Sequence, residues 1–338
     1  MAVSAFRLSV PCGRKALPLW FFGFIVTFAL LLNAQEIHLQ PRVASDQPAA
    51  PTDDQQSQLS LHVAPVRVNV NLVLVPVTVT DSLNRPVIGL SKDDFALVDG
   101  ETPQDIRYFS SEDTPISIGI LLDVSRSMSD KIELARAALG EFFDHSNPSD
   151  DYFVITFSDR PAVLADVTTS AGTIRAKLAD VKPAGHTALL DAIYLGMHKL
   201  NSARYQRRAL VIISDGGDNH SRFTPAELKN LVMEADVQIY GIGIYSSVFH
   251  TPEEWSGKRL LTQITEATGG RALTVRNPRD LPDAASAVST ELRNQYVLGY
   301  APKNEKSGWR KIRVLVTPRD GDSPLQLYWR KGYMAPGQ

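Results

Sequence analysis

The chain is almost without cysteine: one thiol, Cys12, stands among 338 residues, and it precedes the first apolar run. A lipoprotein anchor would place its cysteine after that run, so lipidation is not expected. Beyond Cys12 there is no thiol for a disulfide, a zinc–thiolate site or a cysteine nucleophile. Charge of one sign is also missing. Lysine and arginine total 35 against 37 acids, a formal net charge of −2, so no global field favours nucleic acid or an anionic membrane. Arg204, Arg207 and Arg208 form a local basic cluster. No aromatic residues alternate with them as in a base-stacking surface, so they read as a solvated loop. Signatures of catalysis are absent too. There is no Gly-x-Ser-x-Gly nucleophile turn, no His-Glu-x-x-His and no phosphate-binding Gly-x-x-x-x-Gly-Lys-Ser/Thr. Gly241-Ile-Gly243 is too short for a dinucleotide fingerprint, and the seven histidines are scattered. Spacing shows no acid pair set for general acid–base work. The expectation is a chain that binds rather than one that catalyses.

A long apolar run occurs once, from Ala16 to Leu32, after Arg7, Arg14 and Lys15 and before Leu32-Asn33-Ala34. A basic start, an apolar middle and a small residue at the end describe an export signal over residues 1–34, cleaved after Ala34. Pro18 and Gly23 interrupt the run, which is short for a spanning helix. An uncleaved inner-membrane anchor is the alternative. Either way the body of the chain is expected outside the cytoplasm, periplasmic or secreted. Residues 35–64, rich in Pro, Gln, Asp, Ser and Ala, read as a disordered linker.

Residues 65–338 fall into three blocks. Over residues 65–113 the pattern has period two. Val66, Val68, Val70, Leu72 and Leu74 alternate with Arg67, Asn69, Asn71 and Val73, as in a half-buried strand. Turn signals at Asp81–Pro86 and Asp99-Gly100 separate further short strands. Over residues 114–294 strands alternate with helices, the grammar of an α/β fold with a doubly wound, mostly parallel sheet. Strands are predicted over 116–122, 151–157, 162–165, 209–213, 237–244 and 271–275. Helices are predicted from Lys131, over 170–181, 189–200, 259–267 and 279–293, and after Thr224-Pro-Ala-Glu227, a capping box with proline at the first helical position. Residues 295–338 return to strands. In a doubly wound sheet the chain enters and leaves at the edge opposite the strands' carboxyl ends, so the two β flanks are expected to meet in one small sandwich into which the α/β domain is inserted.

Ligands of open α/β sheets sit outside the carboxyl ends of the strands. Three loops offer oxygens there: Asp123-Val-Ser125-Arg-Ser127, Gly185-His186-Thr187 and Ser214-Asp215-Gly216-Gly217. Ser125, Ser127 and Thr187 supply three hydroxyls and Asp123 and Asp215 two carboxylates, donors suited to a small hard cation. Singly, each has a plainer reading. Ser127 or Ser129 would cap the first helix, Thr187 the helix over 189–200, and Asp215 would be a turn residue. His186, Asp218 and His220 border the group and read as loop residues.

The residues Asp123, Ser125, Ser127, Thr187 and Asp215 resemble the full motif of a von Willebrand factor type A domain with a metal-ion-dependent adhesion site, over about residues 115–293. The flanks, with Lys92-Asp-Asp-Phe95, Tyr296-Val-Leu-Gly-Tyr300 and Arg330-Lys-Gly-Tyr333, resemble the VWFA-related acidobacterial family of exported proteins. The resemblance implies Mg²⁺ held mainly by the hydroxyls of Ser125, Ser127 and Thr187, with Asp123 and Asp215 often acting through water. Mn²⁺ would substitute, and Ca²⁺ would fit less well because it prefers more ligands at longer distance. It also implies an open metal position that takes an Asp or Glu of a partner protein. Asp130 resembles one residue of the adjacent calcium site of integrin β subunits, but its neighbour is Lys131 rather than an acid. The expected function is an exported, adhesion-like protein-binding module. The alternative is a metal-independent envelope scaffold or assembly factor whose site is vestigial. In related domains the last helix shifts when the site is filled, and here it runs straight into the strand at Tyr296.

Overall fold

A computed structural model describes residues 72–245, 252–303, 307–317 and 324–335. The export signal, the linker and the start of the first predicted strand lie outside the described residues. Strands β1 (Val73–Thr80), β2 (Phe95–Asp99), β3 (Thr102–Gln104) and β4 (Tyr108–Ser110) come first. The α/β segment opens with β5 (Ser117–Asp123) and α1 (Ile132–Asp144), then β6 (Asp151–Phe157), β7 (Pro161–Thr168), α2 (Ala171–Ala179) and α3 (Leu189–Leu200). It continues through β8 (Arg208–Ser214), α4 (Pro225–Glu234), β9 (Gln238–Ile244), α5 (Pro252–Thr268), β10 (Ala272–Val275) and α6 (Leu281–Arg293). Strands β11 (Tyr296–Tyr300), β12 (Gly308–Val316), β13 (Gln326–Trp329) and β14 (Gly332–Ala335) complete it.

The central sheet has the order β10-β9-β8-β5-β6-β7. Its neighbours are parallel except β7, which runs antiparallel to β6 at the edge. Strand β5 lies between β8 and β6, and all seven of its residues are buried. A strand covered on both faces must be apolar on both, which explains its unbroken Ile-Gly-Ile-Leu-Leu run. Ile118, Ile120 and Leu122 pack with Ala135, Leu139 and Phe142 of α1 and Val288 and Leu292 of α6. Leu121 faces the other way, with Leu190, Ile193 and Met197 of α3 and Leu228 of α4. Alternate side chains of one strand thus serve two cores.

The β flanks pair with each other. Strand β1 is antiparallel to both β11 and β13, within a sheet ordered β13-β1-β11-β4. A second sheet, β14-β12-β2-β3, joins β2 to β12 in antiparallel register. One core of Val75, Val77, Phe95, Leu97, Leu298 and Ile312 closes the sandwich. No flank buries a core alone, because each sheet takes strands from both. Among the described residues no helix is long and apolar enough to cross a membrane.

The structure departs from two expectations. The even-numbered alternation of the first strand does not continue into its core. Val75, Val77 and Val79 are fully buried, whereas Leu72 is 40% exposed. Leu72, Leu74 and Pro76 instead line a cleft of about 970 Å³ at the amino ends of the parallel strands, shared with Ile116 and Val237. Both faces of β1 have something apolar to meet, so periodicity alone could not set its phase. The basic cluster is only in part a solvated loop: Arg204 is exposed, whereas Arg207 and Arg208 are half-buried. Arg207 bonds the carbonyl oxygens of Thr114 at 2.6 Å and Leu292 at 2.7 Å, and Arg208 Nη1 bonds that of Leu200 at 3.2 Å. Burial lowers the pKa of the Arg207 guanidinium. These arginines satisfy helix-end and loop carbonyls, where the guanidinium fork supplies several donors at once.

Candidate metal centre at the carboxyl edge of the sheet

Asp123 is the last residue of β5 and is fully buried. Its Oδ1 accepts the Ser125 backbone N–H at 2.8 Å, and its Oδ2 accepts the Ser214 hydroxyl at 2.5 Å. Burial pushes its carboxyl up to about 6, against the opposing pull of those hydrogen bonds. From this anchor the polar chain runs outward. The Ser125 and Ser127 hydroxyl oxygens are 3.1 Å apart, and Ser127 donates to Asp215 Oδ1 at 2.7 Å. Asp215 follows β8 directly and is itself 4% exposed.

The Thr187 loop is tied to both others. The Arg126 N–H bonds the Gly185 carbonyl at 3.1 Å, and Ala184 N–H bonds that of Val124 at 2.8 Å. Thr187 N–H donates to Asn219 Oδ1 at 2.9 Å, and its carbonyl accepts from the backbone of Asn219 at 3.0 Å and His220 at 3.2 Å. The Thr187 hydroxyl oxygen faces Gly216, 4.0 Å from where a side chain there would begin. Behind the third loop, Gly257 of α5 comes so close that an added Cβ would stand 2.6 Å from the Gly217 Cα. Only glycine permits that approach.

The three loops therefore bring together Asp123, Ser125, Ser127, Thr187 and Asp215. The plainer readings of these residues fail on the helix ends. The N-cap positions of α1 and α3 are Lys131 and Ala188, and neither makes a side-chain cap bond. Ser129 donates to the Arg126 carbonyl instead. The α3 end is held from outside: Asp218 Oδ2 accepts the Leu190 N–H at 2.8 Å. Asp218 is thus a structural cap rather than an idle loop residue. Asp130 is 82% exposed and faces Lys131 at 3.9 Å.

Four contributors do not stand out in the sequence as site residues: Ser214, Asn219, Lys131 and Asp159. Ser214 and Asn219 flank Asp215 in the third loop, so proximity to a candidate ligand is the available signal. Lys131 is the N-cap residue of α1, and its Nζ reaches Asp215 Oδ2 at 2.6 Å. Asp159 follows β6, another strand ending at the same edge. Chemically the group is an all-oxygen set: Asp123, Ser125, Thr187 and Asp215 are buried, and Ser127 is exposed at the mouth. That set fits a small hard cation and offers nothing to a soft one.

A sequence model of the von Willebrand factor type A domain matches residues 118–217. No curated protein matches the chain. Among solved structures, the chain is similar to the conserved hypothetical protein BatB from Bacteroides thetaiotaomicron, at 18% identity, TM-score 0.43, over 52% of this chain and 98% of that one. A von Willebrand factor type A protein from Catenulispora acidiphila aligns at 12% identity, TM-score 0.45, over 77% and 72%. Proximal thread matrix protein 1 from the mussel byssus, with a zinc-occupied metal-ion-dependent adhesion site, aligns at 19% identity, TM-score 0.46. That alignment covers 58% of this chain and half of the mussel protein. Domains of this type often mediate protein–protein interaction and can bind a divalent metal at such a site.

Proposed function

We propose that this von Willebrand factor type A domain is a cation-dependent protein-binding module that takes the acidic side chain of a partner. The observation that carries the reading is the hydrogen-bonded oxygen group of Asp123, Ser125, Ser127 and Asp215, with Thr187 on the adjoining loop. Ser125, Ser127, Thr187 and the two aspartates would hold Mg²⁺, with Mn²⁺ or Ca²⁺ as alternatives. Neutral hydroxyl donors leave such an ion electrophilic, and an Asp or Glu from a partner is a fitting further ligand. The ion would supply an electrophilic anchor point. The protein's own part is to hold the oxygens fixed on the ends of buried strands. Binding rather than catalysis is favoured because the sequence carries none of the nucleophile signatures named above and no acid pair that spacing can show. Export rests on the signal-like segment 1–34, which makes adhesion or envelope organisation the fitting setting.

A second reading has its own observation. The Lys131–Asp215 ion pair gives the site a resident charge partner without metal, as a metal-independent scaffold would need. Titration calorimetry with Mg²⁺ and Mn²⁺ separates the two. Wild type should bind one ion, and Asp123→Ala and Thr187→Ala should bind it far more weakly. Partners captured from envelope extracts should elute with EDTA and be lost with Thr187→Ala. Retention of partners by wild type in EDTA, with no heat on adding metal, would favour the scaffold.

A further inference from the structure

Next to the oxygen group, on the rim of the same edge, stands a set of different chemistry. Asp159, His186 and His220 each present one ligand atom, and these atoms lie within 4.8 Å of one another. They come from three loops, after β6, before α3 and after β8. The arrangement is fixed by more than chance proximity. Asp159 Oδ1 accepts the His186 backbone N–H at 2.8 Å and lies 2.8 Å from His186 Nδ1. The imidazoles of His186 and His220 stack with centroids 4.9 Å apart and planes 14° from parallel. The Asp159 carboxylate occupies the space over Gly185, where an added Cβ would stand 2.7 Å from Oδ2; Gly185 has φ +84°. A residue with a side chain would be strained there and would push the carboxylate away. The His220 backbone in turn donates to the Thr187 carbonyl, so the rim is held to the oxygen site at its base.

We propose that Asp159, His186 and His220 form a second metal site, for a borderline divalent transition ion of the Zn²⁺ class. Two imidazole nitrogens and one carboxylate are the donor set such ions prefer, whereas Mg²⁺ prefers oxygen. Around a tetrahedral zinc ion the ligand atoms stand roughly 3.3 Å apart, given bonds of about 2.0–2.1 Å. Closing from 4.8 Å asks only for small rotations of side chains that are 66% exposed at His186 and 54% exposed at Asp159. Three protein ligands leave a coordination position for water or for a donor from a bound partner. The chain would thus carry two neighbouring cation sites of different hardness, and the nitrogen site does not depend on the proposed function of the oxygen one.

The test uses the full chain and Zn²⁺ or Co²⁺ in the presence of excess Mg²⁺, so that the hard site is saturated. Calorimetry should show one Zn²⁺ bound, and Co²⁺ should give a visible d–d band. Both signals should persist in Asp123→Asn, which weakens the oxygen site alone. In His220→Ala, and in His186→Ala with His220→Ala, affinity should fall on the order of tenfold or more. These exposed histidines can be removed without opening a core, and circular dichroism checks the fold. Zn²⁺ binding unchanged in the double histidine variant would overturn the proposal. So would its loss in Asp123→Asn with the rim intact, or no Zn²⁺ bound by wild type.

Discussion

Lys131 Nζ sits 2.6 Å from Asp215 Oδ2 and 3.0 Å from the Ser127 carbonyl oxygen. The ammonium is 22% exposed and the carboxylate side chain 1% exposed. A buried carboxylate needs a positive partner, and here the N-cap residue of α1 provides one. A divalent ion among the same oxygens neutralises the same charge. The ammonium and the metal therefore compete for Asp215. Lys131→Met should raise Mg²⁺ affinity by about tenfold or more, the scale of a charged hydrogen bond of roughly 1.5–3 kcal/mol. The same variant should lower the stability of the metal-free protein, because Asp215 is left buried and unpaired. Calorimetry and thermal melts with and without EDTA measure both effects. Unaltered or weaker Mg²⁺ binding would show that the lysine supports the site instead of competing for it.

Asn219 predicts a different kind of loss. It binds no proposed ion, but its Oδ1 holds the Thr187 N–H at 2.9 Å. Asn219→Ala removes that acceptor while leaving all five proposed ligands. Supporting residues of this kind are worth about tenfold to a hundredfold in metal affinity. Mn²⁺ titration followed by electron paramagnetic resonance should show weakening in that range, with the melting temperature of the EDTA-treated protein lowered only slightly. Asn219→Asp, which keeps an acceptor, should recover part of the affinity.

The oxygen group was legible because Asp123, Ser125 and Ser127 share one turn, and because Thr187 and Asp215 each stand where a parallel strand or its crossover returns to the same edge. The helix over 189–200 and the strand over 151–157 were legible to the residue, since their apolar patterns end abruptly at polar ones. The start of α5 was not. It begins at Pro252, seven residues before the prediction, because over residues 254–260 only Gly257 is buried, which leaves no side chain to set a period. Lys131 was legible as a departure from an acidic neighbour but not as the partner of Asp215. That contact spans 84 residues and depends on a side-chain direction that no spacing records. The Asp159–His186–His220 group was hidden for the same reason, being drawn from three loops.

Asp150 gives a pH dependence outside the site. It is 2% exposed, and it accepts the Ile116 N–H at 2.8 Å and the Asn147 N–H at 3.1 Å. Burial pushes its carboxyl up to about 6. A folded value above the unfolded one means that the folded state binds the proton more tightly. The contribution to stability is complete below about pH 4 and is lost as pH rises through 6. Asp150→Asn cannot ionise, so it should flatten this part of the fall in melting temperature between pH 4 and 6. At pH 4 it should be less stable than wild type by about 1 kcal/mol, since the amide nitrogen cannot accept the second backbone N–H, and the deficit should shrink as the pH rises to 7. Parallel pH profiles for wild type and variant would refute the assignment.

Arg271 and Glu291 join the last helix to the body of the protein. Glu291, in α6, is 1% exposed, and its Oε2 accepts Arg271 Nε at 3.0 Å, with a second bond between Nη2 and Oε1. Arg271 continues across the domain border. Its Nη1 bonds Asn84 Oδ1 at 2.7 Å in the turn after β1, and its guanidinium lies 5.4 Å from the Tyr328 ring centre. Any shift of α6 on partner binding must therefore carry or break this pair. Removing one member leaves a buried charge alone, so Arg271→Met should cost about 3–5 kcal/mol of unfolding free energy. Replacing both, as Arg271→Met with Glu291→Leu, should recover most of that loss, because two apolar side chains can fill the space without a desolvation cost. Urea unfolding of the two variants and wild type measures the difference. A double variant as unstable as the single one would mean that the Asn84 and Tyr328 contacts, not the ion pair, hold the helix to the sandwich.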